Sequence, residues 1–97
     1  MEKSYCVYIL TNQSKRVLYI GVPGNLQQRL YQHKNKTASE FTTRYNANIL
    51  VYFEQTENVE SAILREKQLK GWKRQRKIDL ITAVNPHWSD LSIELGF

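Results

Sequence analysis

Two short runs rich in aromatic and β-branched residues flank a polar turn from Thr11 to Arg16. They are Tyr5-Cys6-Val7-Tyr8-Ile9-Leu10 and Val17-Leu18-Tyr19-Ile20-Gly21-Val22. Runs of this composition, this close together, pair as an antiparallel hairpin, and the rest of the fold has to grow from it. Both faces of the first run are apolar, which predicts a central strand covered on each side. Pro23-Gly24 then breaks the second strand. Asn25 opens a helix over about 26–35, with Gln28 at the reciprocal position of a capping box. In that helix Leu26, Arg29, Leu30 and His33 fall at i, i+3, i+4 and i+7 and share one stripe. An arginine and a histidine on a sheet-facing stripe cost desolvation unless an anion or a structural partner meets them. Beside two strand tyrosines, the pattern points to a phosphate site.

The stretch from Asn35 to Asn48 is polar and reads as irregular, with Phe41 and Tyr45 expected to close the core. Ile49-Leu50-Val51-Tyr52-Phe53-Glu54 is a third strand. Asn58 caps a helix over 59–71 whose apolar stripe is Val59, Ala62, Ile63 and Leu69. Gly71 and a basic cluster interrupt it, and a further helix over 74–84 carries Ile78, Leu80, Ile81 and Val84. Asn85-Pro86 stops that helix. The tail, with Trp88, Leu91, Ile93, Leu95 and Phe97, is apolar enough to dock back. The order is ββαβαα, a small α+β fold with helices against a three-stranded, mainly antiparallel sheet. A chain of 97 residues supports one modest core, so 1–97 is expected to be a single domain.

Charge enters the argument through the two later helices. Glu66 lies among Val59, Ala62, Ile63 and Leu69 on the apolar stripe, where a carboxylate can hold Mg²⁺; it also stands four residues before Lys70, as in a solvated ion pair. Around it run Arg65, Lys67, Lys70, Lys73, Arg74, Arg76 and Lys77, with Trp72 between them. Such a run is either a solvated face or a surface that tracks a nucleic-acid backbone. The net charge of +5 favours an anionic partner. The single cysteine, Cys6, sits in a strand, which fits a reducing cytoplasm. No signal peptide or membrane span is visible, and no Cys/His cluster suggests structural zinc.

Taken as a set, Cys6-Val7-Tyr8, Tyr19-Ile20-Gly21, Arg29, His33 and Glu66 resemble the GIY-YIG nuclease family, above all its small stand-alone bacterial members. The likeness runs over almost the whole chain, through Phe41 to Tyr45, Arg65 to Lys70 and Asn85 to Leu91. The resemblance implies a metal-dependent endonuclease acting on DNA, with Mg²⁺ or Mn²⁺ as cofactor. It implies that Tyr8 and Tyr19 line the site and that one of them orients or deprotonates the attacking water. Arg29 would bind the scissile phosphate, His33 would hydrogen-bond a tyrosine or assist proton transfer, and Glu66 would be the one protein ligand of the metal. Asn85 would match an asparagine near the end of many family domains. Arg65, Lys70, Lys73, Arg74, Arg76 and Lys77 are the expected nucleic-acid contacts. Two positions depart from the family pattern: Cys6-Val7 replaces Gly-Ile, and Pro23-Gly24 replaces a threonine and a small polar residue.

Three functions follow as expectations. The first is an endonuclease that selects DNA structure rather than sequence, since one small domain has no second module for base readout, and that serves repair or processing. The second is a nucleic-acid-binding module with little or no turnover; the third is a scaffold whose basic helix meets an acidic protein. RNA as a substrate and the oligomeric state are left open.

Overall fold

A computed structural model describes residues 5–22, 45–56 and 58–94. Three strands, β1 (Tyr5–Thr11), β2 (Leu18–Gly21) and β3 (Ile49–Thr56), form one antiparallel sheet in the order β2-β1-β3. The hairpin and the central place of β1 are as its two apolar faces require, and every residue from Cys6 to Thr11 is buried. Asn12 organises the connecting turn. Its Oδ1 accepts from the Arg16 N–H at 3.1 Å and from the Ser14 hydroxyl at 3.1 Å, while Lys15 takes a left-handed φ of 61°.

Three helices follow the sheet: α1 (Val59–Gly71), α2 (Arg74–Val84) and α3 (Leu91–Glu94). Asn58 caps α1 by accepting from the Glu60 N–H at 2.7 Å and the Ser61 N–H at 3.3 Å, a cap worth about 1 kcal/mol. The helix expected over about 26–35 and Phe41 lie outside the described residues.

The sheet separates two apolar clusters, as strand alternation demands. On one side Val7, Ile9, Ile20 and Val51 pack with Ala62 and Leu69 of α1 and Ile81 of α2. On the other, Tyr8, Leu10, Ala47 and Leu50 pack with Tyr19, Phe53 and Leu91. The buried stripes are narrower than periodicity predicts: Val59 is 41% exposed, Ile63 42% and Val84 65%. A three-stranded sheet offers little width, and α1 meets it along a line set by the small Ala62 and by Leu69. Tyr45 is also 41% exposed; Asn46 turns with φ 54°, and Ala47 enters the core instead.

Trp88 and Leu91 of the tail dock, and the short helix α3 forms there, which the sequence pattern did not announce; Ile93 is exposed, and Leu95 and Phe97 lie outside the described residues. The tail docks at an irregularity in β3, where Ile9 faces Tyr52 but Leu10 faces Leu50, so that Val51 is an extra residue. Asp90 Oδ1 accepts from the Leu50 N–H at 3.3 Å, and the Asn85 side-chain amide donates to the Val51 carbonyl at 3.0 Å. These bonds tie down an edge strand that would otherwise present free backbone groups. Cys6 is buried, which pushes its thiol up to about 11. Among the described residues no helix is long and apolar enough to cross a membrane.

Candidate active site

The register of β1 and β2 places Tyr8 opposite Gly21 and Leu10 opposite Tyr19. Both tyrosines therefore stand on the same face, with ring centroids 6.2 Å apart and planes tilted by 42°. That separation lies in the favourable range for aromatic pairs, about 4.5–7 Å. Tyr8 is 2% exposed, whereas Tyr19 is half-buried. Gly21 makes this arrangement sterically feasible. A Cβ there would lie 2.5 Å from the Tyr8 hydroxyl oxygen and 2.6 Å from its Cζ, so the missing side chain is the slot that the ring occupies.

Glu66 comes from a different layer. It follows Ala62 by one helical turn and precedes Leu69, on the stripe of α1 that meets Val7, Ile9 and Ile20. Those residues alternate with Tyr8, so α1 covers the sheet face opposite the ring pair. The Glu66 side chain is 22% exposed and lies 3.4 Å from Lys70 Nζ. Both sequence readings of Glu66 are thus realised, an inward stripe position and an i, i+4 ion pair. Arg29, His33 and Pro23-Gly24 lie outside the described residues. The structure brings Tyr8 and Tyr19 together, and places Glu66 with Lys70.

Among the described residues no group of three His, Cys, Asp or Glu side chains could cage a metal ion. A lone, partly exposed carboxylate fits Mg²⁺ instead, because that ion keeps several waters and is held by one or two carboxylates plus substrate phosphates. The pairing with Lys70 is weak competition, worth about 0–1 kcal/mol for an exposed pair.

The basic residues divide into two groups. Lys70, Lys73, Arg74 and Arg76 are exposed and Lys77 is half-buried. Arg65, also half-buried, is bound to β3. Its Nε and Nη2 donate to Glu54 at 2.9–3.1 Å and its Nη1 to Gln68 at 2.7 Å. The Tyr52 hydroxyl also donates to Glu54. Burial alone would raise the Glu54 carboxyl, but the Arg65 and Tyr52 hydrogen bonds hold it below its ordinary value. Burial, and then Glu54, push the Tyr52 phenol up to about 12. Sequence reasoning missed this clip. The signal was there: Tyr52 and Glu54 are two apart in a strand, so an acid follows a buried residue onto the inward face and requires a partner.

Three more contacts were not foreseen. Arg74 Nη2 donates to the Lys15 carbonyl at 3.0 Å, which joins α2 to the exposed basic turn of the hairpin. The Arg76 guanidinium carbon lies 3.8 Å from the centre of the Trp72 ring, and that of Arg65 lies 5.2 Å from it.

Asn85 is 6% exposed and ends α2. Its amide nitrogen donates to the carbonyls of Val51 at 3.0 Å and Ser89 at 2.9 Å, and its Oδ1 accepts from the Ser89 N–H at 3.1 Å. Both side-chain donors are therefore spent on backbone, which makes Asn85 a staple between α2, β3 and the tail.

Comparison with known proteins adds an independent finding. Residues 4–79 match the family described as the GIY-YIG catalytic domain, a stretch that holds both tyrosines and Glu66 and stops short of Asn85. The chain is 36% identical over 77 residues to a UPF0213 protein of Clostridium perfringens, covering 79% of this chain and 82% of that one. It is 34% identical over 82 residues to a UPF0213 protein of Syntrophus aciditrophicus, covering 84% and 92% respectively. The solution NMR structure of a UPF0213 protein from Bacillus halodurans is similar with a TM-score of 0.58 at 20% identity, over 92% of this chain and 94% of that one. At that identity the likeness shows a shared fold.

Proposed function

Since the chain belongs to the GIY-YIG catalytic-domain family, we propose that it is a metal-dependent endonuclease of the cytoplasm. It hydrolyses phosphodiester bonds in DNA, selects structure over sequence, and serves repair or processing. The observation that carries this reading is the tyrosine pair, with Tyr8 seated in the slot left by Gly21 and Tyr19 beside it at 6.2 Å between ring centres. Both phenols stand on one face of the sheet, and of the two the half-buried Tyr19 is the one that solvent reaches.

In this reading Glu66, on the sheet face opposite the tyrosine pair, would hold Mg²⁺ or Mn²⁺, which supplies Lewis-acid stabilisation of the leaving 3′ oxygen, so the scissile phosphate has to lie at the sheet edge between the two faces. The chain's own groups do the rest. One tyrosine hydroxyl orients the attacking water and takes up its proton as it passes its own phenolic proton onward. A phenol is a poor base at its ordinary pKa of about 10, so the proton has to move on, and His33 is the residue type that accepts one near neutrality. Arg29 supplies planar, always-charged donors to the scissile phosphate as negative charge builds there.

The test is cleavage of labelled single-stranded, duplex, flap, fork and four-way-junction DNAs, each with Mg²⁺, Mn²⁺ or EDTA. Wild-type protein should cut in a metal-dependent way. Glu66→Ala should abolish cutting and leave binding nearly intact, while Tyr19→Phe should lower kcat by about a hundredfold or more. Full activity in a verified Glu66→Ala protein would overturn the site assignment. Salt-sensitive binding with no cutting of any substrate would instead favour the binding module without turnover.

A further inference from the structure

Where α1 gives way to α2, a groove of about 500 Å³ is lined by Gly71, Trp72, Lys73, Gln75, Arg76 and Asp79. Its volume falls in the range of small-molecule sites, about 300–1,000 Å³. One wall is planar and cationic. Trp72 is half-buried against the core, and the Arg76 guanidinium carbon sits 3.8 Å from the centre of its ring. Trp72 is steadied in turn by Arg65 at 5.2 Å, itself clamped by Glu54. A Cβ on Gly71 would meet nothing within 4 Å, so the space above it is open. The remaining wall is polar, with Gln75 Nε2 donating to Asp79 Oδ1 at 2.9 Å.

We propose that this groove holds one unpaired nucleobase of a single-stranded DNA segment, stacked on the Trp72–Arg76 pair, with Lys73 on the adjoining phosphate. The inference rests on the reading of DNA as the substrate and deepens it. Aromatic rings and guanidinium planes stack on the π-face that every base carries. Asp79 in the wall opposes a bare phosphate there, but it accepts hydrogen bonds from base-edge N–H groups. Inside a duplex both faces of each base are already stacked, so the groove selects unpaired bases. It would give a small domain a preference for flaps, forks and gaps without reading sequence.

The probe is a short labelled oligothymidylate and an abasic strand of the same length and phosphate count, bound to the intact chain in EDTA and followed by anisotropy. Wild-type protein should bind the intact strand about tenfold tighter than the abasic one. Arg76→Lys keeps the charge and loses the plane, so it should cut that preference below threefold while the salt dependence stays the same. Gly71→Leu, which fills the groove and removes no charge, should do likewise. Equal binding of the two strands by wild-type protein, or an undiminished preference in both variants, would overturn the proposal. A preference for the intact strand in a protein that cuts no DNA would leave the groove standing and remove the nuclease. Metal-dependent cutting with equal binding of the two strands would do the reverse.

Discussion

At the scale of single residues, the glycine of Tyr19-Ile20-Gly21 matters as much as the tyrosine. Gly21 lies directly across from Tyr8 and gives way to its ring, so the residue without a side chain sets where the first phenol can be. Adding one methyl group there forces a buried ring to move. Gly21→Ala is expected to destabilise the protein by about 1–3 kcal/mol, the usual cost of overpacking, and to reduce cleavage at the same time. Denaturant unfolding and single-turnover cleavage measure the two effects; a Gly21→Ala protein of wild-type stability would show that Tyr8 does not depend on the slot. The same scale separates two arginines that look alike in sequence. Arg65 bonds Glu54 and Gln68 through all three of its nitrogens, while Arg76 presents a guanidinium on Trp72.

At the scale of elements, the clip between β3 and α1 is an electrostatic joint with a calculable sign. The Glu54 carboxyl is held below its ordinary 4.5, so the folded state favours its charged form. Its contribution is therefore complete above about 4.5 and is lost as the pH falls through the lowered folded value. Glu54→Gln removes that linkage. The two side chains are 29% and 30% exposed, so solvent screening keeps the pair near 1 kcal/mol. Thermal unfolding of both proteins between about pH 3 and 7 should show a gap that is widest near neutrality and closes on acidification. A gap of constant size would mean that the joint acts through packing alone. The other joint is built of side-chain-to-backbone hydrogen bonds. Asn85 binds β3 at its extra residue, Val51, and Asp90 binds the neighbouring Leu50, which is why that irregular edge is covered.

At the scale of the molecule, two groups of cations among the described residues meet. The hydrogen bond from Arg74 to the Lys15 carbonyl links the α2 cations to the hairpin turn, so the basic surface spans two distant parts of the chain. Replacing Lys73 and Arg74 together by alanine should lower the slope of log affinity against log salt by about two and leave cleavage at saturating substrate in place. An unchanged slope would put the DNA path elsewhere.

Much of this architecture was legible because short-range physics dictates it. Alternating Tyr, Val and Ile around a polar turn can form little but a hairpin; Asn58 and Asn85-Pro86 mark helix ends by their own hydrogen bonding and sterics. The motif spacing also identified the family. Partnership across the fold was not legible. That Arg65 binds Glu54, that Asn85 staples α2 to β3, that Val59 and Ile63 are exposed, and that Tyr8 fills the slot at Gly21 all depend on which surfaces meet. Each of those contacts joins residues from different elements, and strand register and helix docking settle them only after local preferences have been satisfied.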